Sequence, residues 1–239
     1  MGERQSWTRS ITAHLVPGVL AFPFYVLASR LLTPRGLPPP FALFLTMLVV
    51  LIPYELGVLA HASRKRAGEG ATEDLIPYKE RLPLLQYAVL VALLLAWAFL
   101  CFFGFAPREE RFLAGTLFSW PPEWLVGAGL KDASRAAWVA TLAFGLVVNG
   151  LALPLVEELY FRGYLLPRIP CRRRWSPLLN AALFSLYHLF SPWQNVTRIL
   201  AVTPMVYAVS WKRSVFVGIA VHCLLNSIAM LIAIRGLLG

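Results

Sequence analysis

Residues 84–106, "LLQYAVLVALLLAWAFLCFFGFA", run without a single charged side chain. A helix needs about 20 mainly apolar residues to cross the hydrocarbon core of a bilayer, where every backbone N–H and C=O must find its partner within the protein. A run of this length and character leaves few alternatives to a membrane-spanning helix. Similar apolar segments lie near 12–31, 40–62, 136–158, 177–192, 197–211 and 214–235, those at 177–192 and 197–211 being short. Of the 239 residues, 58% are hydrophobic and 14% charged, against about 45–50% and about 25% in soluble domains.

The expected fold class is therefore an all-α polytopic membrane protein. It would be a single transmembrane domain over 1–239, a bundle of about 7–8 transmembrane helices with the active site inside the bundle. The eighth element would come from "RFLAGTLFSWPPEWLVGAGL" (111–130), whose prolines and tryptophans suit an interfacial or re-entrant segment. The polar stretch 63–81 reads as a loop, and no internal repeat is visible. The first apolar run lacks a small-residue cleavage site and reads as a retained span.

A net charge of +10 could suggest a nucleic-acid partner. The basic residues, however, cluster between apolar runs, as in Arg64, Lys65 and Arg66, in Arg172, Arg173 and Arg174, and in Lys212 and Arg213. That distribution fits a lipid bilayer as partner, not nucleic acid, and the positive-inside rule then places the N-terminus in the cytoplasm. Richness in Arg, Ala and Leu points to a bacterial inner (plasma) membrane. Cys101, Cys171 and Cys223 lie far apart, are odd in number and form no disulfide framework.

An ionisable residue inside a span costs roughly 2.5–3.5 kcal/mol on insertion scales and so marks function by default. The survivors are Glu55, Glu157, Glu158, Arg162, His188 and His222, with the neutral Asn149, Asn180 and Asn226. His14 and His61 read as interfacial residues at span ends. In "EELYFRG" (157–163), Glu158 and Arg162 stand four apart, in register for an ion pair. Glu157 is turned about 100° away and faces another neighbour. Gly163 allows a close helix contact. Phe184 and His188 share one helical face, as do His222 and Asn226. Taken singly, these are a snorkelling charge cluster, a packed histidine and an interhelical hydrogen bond. Together they look like one converging site. Glu55 reads as a supporting partner of Arg162 or of a histidine, or as a residue paired near the membrane edge, the second reading being preferred.

These three pieces, in this order and spacing, resemble the motifs of the CAAX-protease and bacteriocin-processing family, the Rce1-like intramembrane proteases. Two glutamates followed after three residues by an arginine match Glu157, Glu158 and Arg162. Phe-x-x-x-His matches Phe184 and His188, and His-x-x-x-Asn matches His222 and Asn226. The resemblance covers roughly 135–230, the catalytic core it implies. It implies that Glu157 and His188 activate a water while His222 and Asn226 stabilise the oxyanion, with Glu158, Arg162 and Phe184 in support and no cofactor. A zinc version on Glu157, His188 and His222 is the mechanistic alternative. The substrate implied is a membrane-anchored protein or peptide: a prenylated CaaX-type protein, a peptide precursor or a C-terminal sorting tail. There is no HExxH and no GxSxG, and the only aspartates, Asp74 and Asp132, lie in polar loops. A transporter and a non-catalytic immunity or scaffold protein are the rival classes.

Overall fold

The computed structural model describes residues 5–69, 74–117 and 133–238. Among these, seven helices form a bundle without strands. They are α1 (Trp7–Leu32), α2 (Pro39–Gly68), α3 (Leu84–Leu113), α4 (Arg135–Arg168), α5 (Ser176–Tyr187), α6 (Asn195–Lys212) and α7 (Val215–Leu238). Five of them, α1 to α4 and α7, are long and apolar enough to cross a membrane. Their outward faces carry Val19, Leu27, Leu93, Leu100, Phe103, Leu231 and Ile232, all exposed. An apolar exterior of this extent suits lipid, not water.

The count of spans is lower than the sequence suggested. The segment expected at 177–192 stops being helical after Tyr187. Its 12 residues rise only about 18 Å, against a hydrocarbon core of about 30 Å. Helix α6 has 18 residues, but Arg198, Pro204 and Lys212 interrupt its apolar character. Hydrophobicity alone could not distinguish such buried interior helices from spans. Of the element expected at 111–130, residues 111–113 end α3, and 118–130 lie outside the described residues.

Prolines shape the bundle interior. A proline supplies no N–H to the carbonyl four residues earlier and collides with it. Pro53, Pro154 and Pro167 each follow a widened π turn, over Met47–Leu51, Val148–Ala152 and Glu158–Leu165. Each turn contains the residue four before the proline: Val49, Gly150 or Gly163. The widening relieves the clash, and such turns are frequent at functional sites. Three freed carbonyls gain donors from other helices. Tyr160 Oη donates to Ala13 O at 2.7 Å, below Pro17. Ser227 Oγ donates to Gly150 O at 3.1 Å, below Pro154. Trp97 Nε1 donates to Leu200 O at 3.0 Å, below Pro204. In a medium without water, each bond both satisfies an orphan acceptor and ties two helices together.

Helix α1 approaches the end of α5 closely because Gly18 lies directly against the backbone carbonyl of Tyr187, where a Cβ would collide. A backbone atom cannot swing aside as a side chain can. Gly18→Ala is therefore expected to push the two helices apart and cost about 1–3 kcal/mol. The unfolding midpoint of the purified protein checks this, and an unchanged midpoint would show that the helices separate freely.

Candidate active site

Glu157 and Glu158 stand where α4 passes from an α turn into its last π turn. Both are buried, Glu157 at 2% and Glu158 at 0% exposure. Arg162, also fully buried, places Nη1 3.0 Å from Glu158 Oε1. The ion pair read from the four-residue spacing is present. The guanidinium also stacks over the Phe184 ring, with Cζ 3.9 Å from its centroid. Phe184 thus links the ion pair on α4 to the two histidines: its centroid lies 4.8 Å from that of His188 and 6.0 Å from that of His222.

Glu157 points elsewhere, as its helical angle requires. Tyr187 Oη donates a hydrogen bond to Glu157 Oε1. Oε2 faces His222 Nε2 at 3.8 Å. His222 is the bridge of the cluster, since its Nδ1 lies 3.0 Å from Glu158 Oε1. A carboxylate without a proton can only accept, so Nδ1 carries the hydrogen there and Nε2 is the atom turned to Glu157. Helix α7 comes this near because Gly218 has no side chain to meet Glu158 Oε2.

His188 stands one residue beyond the end of α5 and not inside a span. Its Nδ1 pairs with Phe184 O at 2.8 Å. A carbonyl also only accepts, so Nδ1 bears the hydrogen and Nε2 is left to receive one. Asn226 Nδ2 donates to Asn149 O at 3.0 Å, using one of its two amide hydrogens.

A cavity of about 300 Å³ opens beside these groups. Arg162, His188, His222, Asn149, Asn226 and Arg198 make its polar wall, facing apolar residues such as Met47, Phe102, Val202 and Leu225. Glu157 does not line it, but His222, its neighbour, does. Among the described residues, no group of three His, Cys, Asp or Glu side chains is arranged to hold a metal ion.

Other residues gain partners the sequence did not show. His14 is fully buried within the bundle. Its Nδ1 pairs with Ser10 O at 2.7 Å, and its Nε2 lies 3.1 Å from Asn180 Nδ2, which also donates to Phe161 O at 3.0 Å. The buried polar pair locks α1 to α5 and to the motif turn. Glu55 is fully buried and unpaired: neither carboxyl oxygen has a hydrogen-bond partner among the described residues, and Glu157, Glu158 and Arg162 lie within electrostatic reach. A π turn one helical turn earlier draws this part of α2 into the bundle interior. The atoms nearest the position of a Cβ at Gly163 belong to Ile76, in the loop after α2. Tyr187 escaped the sequence reading altogether. The available signal was its position three residues after Phe184, which puts the two rings on the same side of α5, with centroids 5.6 Å apart.

Tyr187→Phe removes only the hydroxyl and keeps the ring against Phe161, Phe184 and Phe190. If Glu157 serves as a base, the variant is expected to lose about 10-fold or more in kcat with KM little changed, because the carboxylate loses the donor that fixes its orientation. Kinetics on a cleaved substrate check this, and an unaltered kcat would remove Tyr187 from the working site.

The fold and this cluster define a class: a polytopic helical membrane protein with a buried glutamate–histidine–asparagine constellation opening on an internal cavity. Residues 138–228 match the family model described as type II CAAX prenyl endopeptidase Rce1-like. The match begins in α4 and ends in α7, leaving α1 to α3 outside it. No curated protein and no solved structure gave a significant match.

Proposed function

We propose that the chain is a metal-free, glutamate-type intramembrane endopeptidase that hydrolyses a peptide bond of a membrane-anchored protein or peptide near the membrane surface. The observation that carries this reading is the convergence of Glu157, His188, His222 and Asn226, from separate parts of the chain, around one buried cluster and its cavity. Peptide hydrolysis needs a base for water and donors for the developing oxyanion. Glu157 and His188 act together as the base: His188 Nε2 is free to accept a proton from the attacking water, and the Glu157 carboxylate shares that proton within the cluster. Water oxygen adds to the carbonyl carbon, and the retained proton passes to the leaving amine as the C–N bond breaks. Asn226 has an uncommitted amide hydrogen, and His222 an Nε2–H when protonated, for the oxyanion. Glu158 and Arg162 hold the geometry, with Phe184 packed between.

The apolar side of the cavity supports a substrate delivered from the bilayer, whether a prenylated CaaX-type protein, a peptide precursor or a C-terminal sorting tail. We place the enzyme in a bacterial inner membrane with its N-terminus in the cytoplasm, on the strength of the basic clusters at 64–66, 172–174 and 212–213. The test compares protein termini across the native membrane proteome between wild type and Glu157→Gln by mass spectrometry, with and without a chelator. Termini found only with wild type, in both conditions, are expected. Their loss with chelator would favour the zinc version, and identical termini from two folded proteins would favour a transporter or scaffold.

A further inference from the structure

Arg198 stands in the first turn of α6, is 6% exposed, and lines the same cavity as His188 and His222. Its hydrogen bonds all go to neutral oxygens. Nη1 reaches Ser185 O and Ser185 Oγ at 3.4 Å each and Asn195 Oδ1 at 3.2 Å. Nη2 reaches Ser191 O at 3.5 Å and Ser191 Oγ at 2.7 Å. Only the last is short, although bonds from a guanidinium to a carboxylate typically fall near 2.7–2.9 Å. Among the described residues, no carboxylate comes within the 4.0 Å that defines an ion pair.

The contrast with Arg162 is informative, for that equally buried guanidinium has Glu158 at 3.0 Å. Burying a cation without a counter-charge costs several kcal/mol. The acids that act on Arg198 do so from further away. Glu109 is held by Val196 N and Thr197 N at 2.7 Å each, capping the start of α6, and Glu157 is engaged by Tyr187 and His222. The cavity wall therefore presents an uncompensated positive charge beside the histidines, with apolar side chains such as Met205 and Val202 around it.

We infer that Arg198 is a specificity-determining residue that takes a carboxylate of an apolar peptide. Resting on the proteolytic reading of the site, this names the substrate class: membrane-derived peptides carrying a carboxylate a few residues from the scissile bond. The carboxylate can be the C-terminal one or an acidic side chain, and both share the planar geometry a guanidinium fork engages.

The experiment measures binding to the full chain in phosphatidylcholine nanodiscs, with four probes: acetyl-trileucine acid, acetyl-trileucine amide, acetyl-Leu-Asp-Leu amide and oleate. The acid is expected to bind about 10-fold or more tightly than the amide, with the preference abolished in Arg198→Gln and the affinity for the amide moved less than about twofold. Arg198→Lys, which keeps the charge, is expected to retain part of the preference and covers the case in which Arg198→Gln does not fold. If the aspartate peptide matches the acid, the source is a side chain; if it matches the amide, the source is the C-terminus. Equal binding of acid and amide, no binding of either, or equal competition by oleate would overturn the inference. Loss of the preference while termini are still generated would remove the subsite and leave the protease standing. A preference without any proteolysis would do the reverse.

Discussion

Glu157→Gln is expected to slow cleavage about 1,000-fold while leaving a folded chain. Positioned general bases contribute about 10²–10⁴-fold, and glutamine reproduces the shape of glutamate without its charge. Its Oε1 can still accept from Tyr187 Oη, and its other end still faces His222, so the packing of the buried cluster changes little. What disappears is the negative charge that keeps a proton in the site. The measurement is the rate of appearance of substrate termini in membranes, normalised to folded protein, alongside the unfolding midpoint. Retention of full rate would exclude Glu157 as the base. A parallel fall in midpoint and rate would instead give it a structural role.

The adjacent carboxylate should respond in the opposite way. Glu158→Gln leaves the fully buried Arg162 without its ion-pair partner, and breaking a buried pair from one side costs about 3–5 kcal/mol. The expected result is a large loss of stability and of folded yield. Arg162→Met should also be costly, because it leaves the buried Glu158 with only the His222 N–H as partner and ends the stacking on Phe184. The double variant Glu158→Gln with Arg162→Met removes both charges. It should recover more than half of the loss, since replacing a whole buried pair is often close to neutral. Unfolding titrations of the four proteins form a double-mutant cycle, and strictly additive losses would show that the two groups do not interact.

The character of the bundle was legible because long uncharged runs are physically unambiguous, and the Glu158–Arg162 pair followed from helical spacing. The same spacing correctly turned Glu157 away from its neighbour. Three things were hidden. The short α5 and α6 look like spans to hydropathy because a helix buried in protein and one buried in lipid are equally apolar. His14 and Glu55 were assigned to membrane edges because depth in sequence says nothing of which side chains other helices cover. Tyr187 was invisible because its hydroxyl matters only through a partner 30 residues away in the chain. Arg198 likewise drew no notice in the sequence, because its significance rests on the cavity beside it.

The proline-freed carbonyl of Ala13 accepts from Tyr160, His14 meets Asn180, and Gly18 lies against Tyr187. All three contacts join the N-terminal helix to residues inside the 138–228 segment. The matched segment thus relies on a helix outside it for three of the contacts that position its residues. Transplanted into another protein without a helix to replace α1, it would carry every motif of the family and still lack the seat on which Tyr187 and His188 are set.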